Sequence, residues 1–214
     1  MAEVVPGPEQ RPGLVVPAAM SLLAAHPRLV PTELELAGAH HALQRAYDDY
    51  TRNVSPHTMA VSFETATFAY CLAKRIDAKT ACDFGSGFTS YTLRVAVPSV
   101  VSVDDSPEWL GWTGKFLERY DQTSGLLVEW GEFDHGPFDL IVYDFGKGEF
   151  REEHMGFALD LLNPGGLCLF DDAQHHTHQP RMLAECRKRR FDLFDVSQWT
   201  RDSQQRFAAL AVRP

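Results

Sequence analysis

The chain has 214 residues, enough for one domain with an N-terminal extension, and its formal net charge of −9 argues against a nucleic-acid surface, which needs clustered Lys and Arg. The one basic cluster, Arg187 to Arg190, reads as a solvated helix end where cations complement the dipole. There is no apolar run of membrane-spanning length, no secretory signal pattern, and no paired spacing of Cys71, Cys82, Cys168 and Cys186, so a soluble cytoplasmic protein with reduced core thiols is expected.

The first 31 residues hold six prolines around a short apolar stretch, Ala18 to Ala25. They read either as a loosely ordered arm or as a segment folded over the active site or a partner subunit. Thr32 and Glu35 form a capping box that opens a helix to about Asn53. A second helix is expected from about Pro56 to Ile76, with Phe63, Phe68, Cys71 and Leu72 on its apolar side. We take residues 1–55 as an arm and helix acting as a lid or oligomer contact, and 56–214 as the main domain.

From Thr80 onward short apolar strands alternate with helices, which argues for a parallel sheet covered on both faces. The strands centre on Cys82, Val101, Val128, Val142 and Leu169. The last two apolar runs, Phe191 to Ser197 and Phe207 to Val212, are joined without an evident helix and read as an antiparallel hairpin. The expected fold class is therefore α/β, a doubly wound and mostly parallel sheet with a C-terminal antiparallel hairpin and an N-terminal helical extension.

Two strand ends carry the cofactor signal. Asp83 precedes a turn with glycines at Gly85 and Gly87, and Ser90 stands where a dinucleotide pattern has its third glycine. A carboxylate at the lip of the turn would repel phosphate but attract the sulfonium and ammonium groups of S-adenosylmethionine (SAM). About 20 residues on, Asp104 ends the next strand, where nucleotide-binding folds place a carboxylate for ribose hydroxyls, and Ser106 and Pro107 open the following helix. The alternative is that both acids merely terminate strands. With these residues, the stretch from about 56 to 214 resembles the class I SAM-dependent methyltransferases, a likeness that also implies the terminal hairpin. Trp109 and Trp112 on that helix are expected in the core, with a homodimer contact as the alternative.

Only Gly131 to Phe138 separates the third strand from the fourth, too short for a full helix. By the resemblance, Glu132 is the candidate for the adenine edge. The fourth strand then ends in Asp144-Phe145-Gly146-Lys147 and the fifth in Asp171-Asp172, so three carboxylates converge if these strands are neighbours. Such a group needs a proton or a cation, and oxygen ligands favour Mg²⁺ or Ca²⁺, with Mn²⁺ also compatible.

Asp144 with Lys147, then a strand ending in Asp171, resembles the cation-dependent O-methyltransferases of the catechol and caffeoyl-coenzyme A type, with Asp172 in place of their asparagine. Met59-Ala60-Val61-Ser62 is similar to the segment before the glycine turn in that group. The resemblance implies Asp144, Asp171 and Asp172 as ligands of Mg²⁺ or Mn²⁺, Asp144 also near the cofactor, and Val61 offering its backbone to the amino-acid end of SAM. A cation would lower the pKa of a bound hydroxyl and align it, and Lys147 would take the proton if its own pKa were lowered; the alternative is a solvated lysine.

His175 and His176, followed by His178, lie on the loop after the fifth strand, where substrate is expected, and stand as catalytic candidates beside a plain solvated loop. His57 is a further candidate, while His40 and His41 read as structural or exposed. The expected activity is methyl transfer from SAM to a small-molecule hydroxyl with divalent-cation assistance. Its rivals are a cation-independent methyltransferase using Asp and His, a non-catalytic SAM-binding scaffold, and a nicotinamide-dependent oxidoreductase. No membrane or nucleic-acid partner is expected.

Overall fold

The computed structural model describes residues 21–213, so residues 1–20, most of the proline-rich arm, lie outside the described residues. Ser21 caps the four-residue helix α1 (Leu22–Ala25), which buries Leu22. The capping box then opens α2 (Glu33–Asn53): Glu35 N donates to Thr32 Oγ1 at 3.3 Å and Thr32 N donates to the Glu35 carboxylate at 2.7 Å. Ala39, Leu43, Ala46, Tyr47 and Tyr50 form its buried stripe, spaced at three and four residues as one helix face requires.

Helix α3 (Phe63–Arg75) starts later than the sequence pattern suggests. Ser62 is its cap, accepting from Thr65 N at 3.0 Å, while Pro56 to Ala60 close a separate turn through Ala60 N to Pro56 O. Apolar spacing continues across both pieces and hides the break.

Then follow β1 (Thr80–Phe84), α4 (Phe88–Ala96), β2 (Ser99–Asp104), α5 (Pro107–Arg119), β3 (Leu126–Glu129), β4 (Phe138–Tyr143), α6 (Glu149–Asp160), β5 (Leu162–Phe170), α7 (His178–Arg189), β6 (Asp192–Asp195), α8 (Ser197–Thr200) and β7 (Ala209–Val212). They build one seven-stranded sheet in the order β3-β2-β1-β4-β5-β7-β6. All neighbours pair in parallel except β7, which runs antiparallel to both β5 and β6. The terminal hairpin is present, but its connection contains the one-turn helix α8, whose Trp199 stacks on Phe68 of α3 with ring centroids 5.7 Å apart. No α-helix joins β3 to β4; a 3₁₀ turn over Trp130–Glu132 suffices.

Strand side chains alternate between faces. Cys82, Phe84, Ile141, Tyr143, Cys168 and Phe170 pack against Met155 and Leu159 of α6 and Met182 of α7. Ala81, Val100, Leu140, Val142 and Leu169 face Phe68 and Leu72 of α3 and Leu93 of α4. A third cluster ties α2 to the rest through Tyr47, Tyr50, Phe88 and Phe116. All four cysteines are buried and free.

Trp109 and Trp112 depart from the core placement expected of them. They meet edge to face at 4.7 Å on α5, Trp112 exposed and Trp109 half-buried toward the strand ends, because Leu110, Thr113, Phe116 and Leu117 already fill the face on the core. Among the described residues no helix is long and apolar enough to cross a membrane.

Candidate functional site

Parallel strands end on one side of the sheet, and there the loops after β1, β2, β4 and β5 enclose a cavity of about 950 Å³. One end lies over the glycine turn, with Asp104, Asp105, Ser106 and Trp109 in its wall; the other holds Asp144, Asp171 and Asp172. The turn has little freedom. Gly85 adopts φ +100°, and a Cβ there would clash with the Asp144 carbonyl, so the loops after β1 and β4 touch backbone to backbone. A Cβ on Gly87 would come within 3.2 Å of Tyr50 Oη, which brings α2 over the turn.

The carboxylates at the glycine end are engaged with the protein itself. Asp104 Oδ2 accepts from Ser86 N at 2.7 Å and Ser86 Oγ at 3.0 Å, and its Oδ1 accepts from Ser106 N at 2.9 Å. Burial raises its pKa against those bonds. Asp83 does not stand at the lip of the turn, contrary to the sequence expectation: it is fully buried and absent from the cavity wall. It sits on the same face of β1 as Ala81 and therefore under α4, where its Oδ2 accepts from Ser90 Oγ at 2.5 Å. Burial pushes its pKa up to about 7, against the hydrogen bonds from Ser90 and Thr89.

Ser90 is likewise a buried part of the turn, accepting from Gly87 N at 3.2 Å, and does not face the cavity. Arg94 completes this buried polar layer by donating to Ser90 O at 3.0 Å and Ser102 Oγ at 2.7 Å. Three amides of the turn are thereby occupied, Gly85 N by Val103 O at 2.9 Å, Ser86 N by Asp104 and Gly87 N by Ser90.

At the other end, one oxygen from each of Asp144, Asp171 and Asp172 lies within 4.8 Å of the others, the convergence that neighbouring β4 and β5 impose. Asp171 is buried, accepts from Thr65 Oγ1 at 3.3 Å and has its pKa raised well above the usual carboxylate range by burial and by Asp172 and Asp144. Burial also raises Asp144, to about 6, although Arg151 opposes it. Asp172 is the exception: burial would raise it, yet a 2.8 Å bond from Gln174 Nε2 and the Arg151 charge hold it below its usual value.

Arg151 had no place in the sequence reading. It rises from α6 into the cluster, pairing through Nη2 with the Asp144 carboxylate and through Nη1 with Asp172 Oδ2 at 3.3 Å. The only sequence signal was a lone arginine in an acid-rich helix start, seven residues after Asp144.

The expected divalent cation does not fit beside it. Three carboxylates would suit an oxygen-seeking ion, but two of them, Asp144 and Asp172, already bind a guanidinium, and a second cation there would face like charge.

The remaining candidates divide. Val61 is in the wall, and its carbonyl accepts from Tyr47 Oη at 3.0 Å, leaving its second lone pair. Lys147, His175 and His176 are exposed and line the rim. Glu132 is exposed on the 3₁₀ turn and outside the wall, because the β3–β4 connection is too short to carry it over the cavity. His57 lies outside the wall and packs on Tyr47, and His178 turns toward Glu152 of α6, its Nε2 4.0 Å from that carboxylate.

Arg206, also unforeseen, fastens the wall: Nη1 donates to Ala60 O at 2.7 Å, Nη2 to His57 O at 2.9 Å and Nε to Asp202 at 2.8 Å.

Comparison with solved structures decides the fold. An O-methyltransferase from Bacillus cereus in complex with S-adenosylhomocysteine (SAH) superposes with a TM-score of 0.59 at 17% identity, covering 90% of this chain and 95% of that one. The fold is that of the class I methyltransferases.

An SAH-bound methyltransferase from Podospora anserina gives 0.59 at 14% identity, covering 86% of this chain and 97% of that one. A precorrin-6y C5,15-methyltransferase from Geobacter metallireducens gives 0.59 at 14%, covering 72% and 89%. No protein-family model and no curated protein matches the sequence.

Proposed function

We propose that the protein is a SAM-dependent methyltransferase acting on a small-molecule hydroxyl, with Asp171 as the base and the His175–His176 rim orienting the acceptor. The carboxylates beside the glycine turn carry the cofactor choice. A pyrophosphate seated at the start of α4 would face the Asp104 and Asp144 carboxylates in the same wall, and the amides of Gly85, Ser86 and Gly87 are already bonded internally. SAM needs no phosphate cradle, and the wall carboxylates Asp104 and Asp144 suit its cationic groups. When bound, SAM supplies the electrophilic methyl group. The turn, with no room for a Cβ at Gly85, brings the β1 and β4 loops together at the cofactor end, and Val61 in the wall is the candidate partner of the amino-acid end.

The acceptor end supports proton transfer. A phenol or enol hydroxyl is a weak nucleophile until its proton leaves, and a carboxylate whose pKa is raised is a better match to it than an ordinary one. Asp171, when ionised, takes that proton, and Arg151 offsets the negative charge of the neighbouring acids. The cavity volume of about 950 Å³ suits a nucleoside-sized cofactor and one compact acceptor. Its acidic end and the net charge of −9 favour neutral or cationic acceptors over nucleic acid.

Calorimetric titration with SAH, followed by methylation assays on a panel of phenols with wild type and Asp171→Asn, tests this reading. SAH should bind both forms equally, while the variant should lose about 10²–10⁴-fold in kcat, the usual worth of a general base. No SAH binding in wild type defeats the cofactor assignment, and an unimpaired Asp171→Asn defeats the base.

A further inference from the structure

The acidic cluster carries its own counter-cation. Arg151 is buried, and its guanidinium is held from several sides: Nη2 by the Asp144 carboxylate and by Asp144 O at 3.1 Å, Nη1 by Asp172 at 3.3 Å, and Nε by Phe145 O at 3.2 Å and Gly146 O at 3.3 Å. Its backbone is tied as well, with Tyr143 Oη donating to Arg151 O at 2.7 Å. Swinging the side chain out would strand buried carbonyls of the β4–α6 loop together with two carboxylates. The planar fork is directed at two separate acids, a geometry a lysine could not reproduce.

We infer that Arg151 takes the place of a divalent cation: the site excludes metal while Arg151 is present and becomes a metal site when it is removed. The inference rests on reading this cavity as the acceptor site of a methyltransferase, and it gives Arg151 a positioning role. The guanidinium holds Asp144 and Asp172 apart from the acceptor oxygen and leaves Asp171 the carboxylate without a guanidinium bond. A guanidinium supplies charge and hydrogen bonds but opens no coordination site. The acceptor is therefore held by hydrogen bonds, which removes any need for the vicinal oxygens that chelate a metal and admits monohydroxy compounds.

The test is a titration of the full chain with Mn²⁺, reading free ion by electron paramagnetic resonance, on wild type, Arg151→Ala and Arg151→Lys, with folding followed by circular dichroism and SAH binding measured on the same samples. Wild type and Arg151→Lys should take up no stoichiometric Mn²⁺. Arg151→Ala should bind it at least about 10-fold more tightly, since one like charge beside the ion has gone, and an added Asp171→Asn should abolish the gain.

A purely structural arginine would yield no such gain in metal affinity. Stoichiometric Mn²⁺ binding by wild type that disappears in Asp144→Asn overturns the inference even if Arg151→Ala does not fold, and so does a folded Arg151→Ala that gains nothing. Failure of SAH to bind wild type would instead count against the methyltransferase reading, leaving the Mn²⁺ comparison to judge Arg151.

Discussion

The two ends of the cavity use carboxylates in opposite ways. At the glycine end, Asp104 is tied to Ser86 in the turn after β1 and to Ser106 in its own loop, and Asp83, beneath the turn, to Ser90 of α4, so both serve mainly to shape the turn. At the other end, Asp144, Asp171 and Asp172 are held chiefly by side chains: a guanidinium from α6, Thr65 of α3 and Gln174. A carboxylate whose lone pairs are taken up by the turn it shapes is part of the scaffold, whereas one held mainly through a side-chain donor keeps lone pairs free for chemistry.

The sharpest way to break this contrast is Gly85→Ala, because the two ends meet there. The added Cβ would clash with the Asp144 carbonyl at a backbone angle of φ +100°, so both ends should fail together. We expect a stability loss of about 3 kcal/mol or more and loss of SAH binding, read by urea unfolding and calorimetry. A stable variant that binds SAH normally would mean that the two loops are not in backbone contact.

Asp83 separates scaffold from chemistry by pH. Its folded pKa is raised to about 7, so the folded state holds this proton more tightly than the unfolded chain. The stabilisation is complete below the unfolded value near 4 and is lost as pH rises through about 7, amounting to at most about 4 kcal/mol. Asp83→Asn should remove that share of the slope, so the wild-type and variant curves from pH 4 to 8 should diverge. Parallel curves would contradict a buried protonated Asp83.

Asp104→Asn is the mildest test. It leaves one of the three bonds to Ser86 and Ser106 without an acceptor of the right kind. SAH affinity should fall about 10-fold, the worth of a charged hydrogen bond, whereas Asp171→Asn should leave it unchanged. Equal losses in the two variants would erase the distinction between the ends.

Much of this was legible in the residues. Thr32 and Glu35 cap α2 as their spacing requires, Ser106 and Pro107 open α5, and the five parallel strands lie where apolar runs placed them. The short β3–β4 connection was equally plain, though it left Glu132 outside the cavity. The start of α3 at Ser62 was not, because an amphipathic pattern runs unbroken through a turn and a helix. Nor was the placement of Trp109 at the cavity wall rather than in the core, since apolar spacing does not say how many residues of a helix face the sheet can cover.

By itself the sequence determined the strand ends, and hence that Asp104, Asp144, Asp171 and Asp172 reach one side of the sheet, because side-chain period, caps and glycine turns act over a few residues. Only the tertiary structure decided which acids face the cavity and what neutralises them. Asp83 is turned under α4 by the pleat of β1, Arg151 joins the ends of β4 and β5, and Arg206 reaches 146 residues back to Ala60. Such pairings depend on how crossovers stack helices on the sheet, and no local periodicity encodes them.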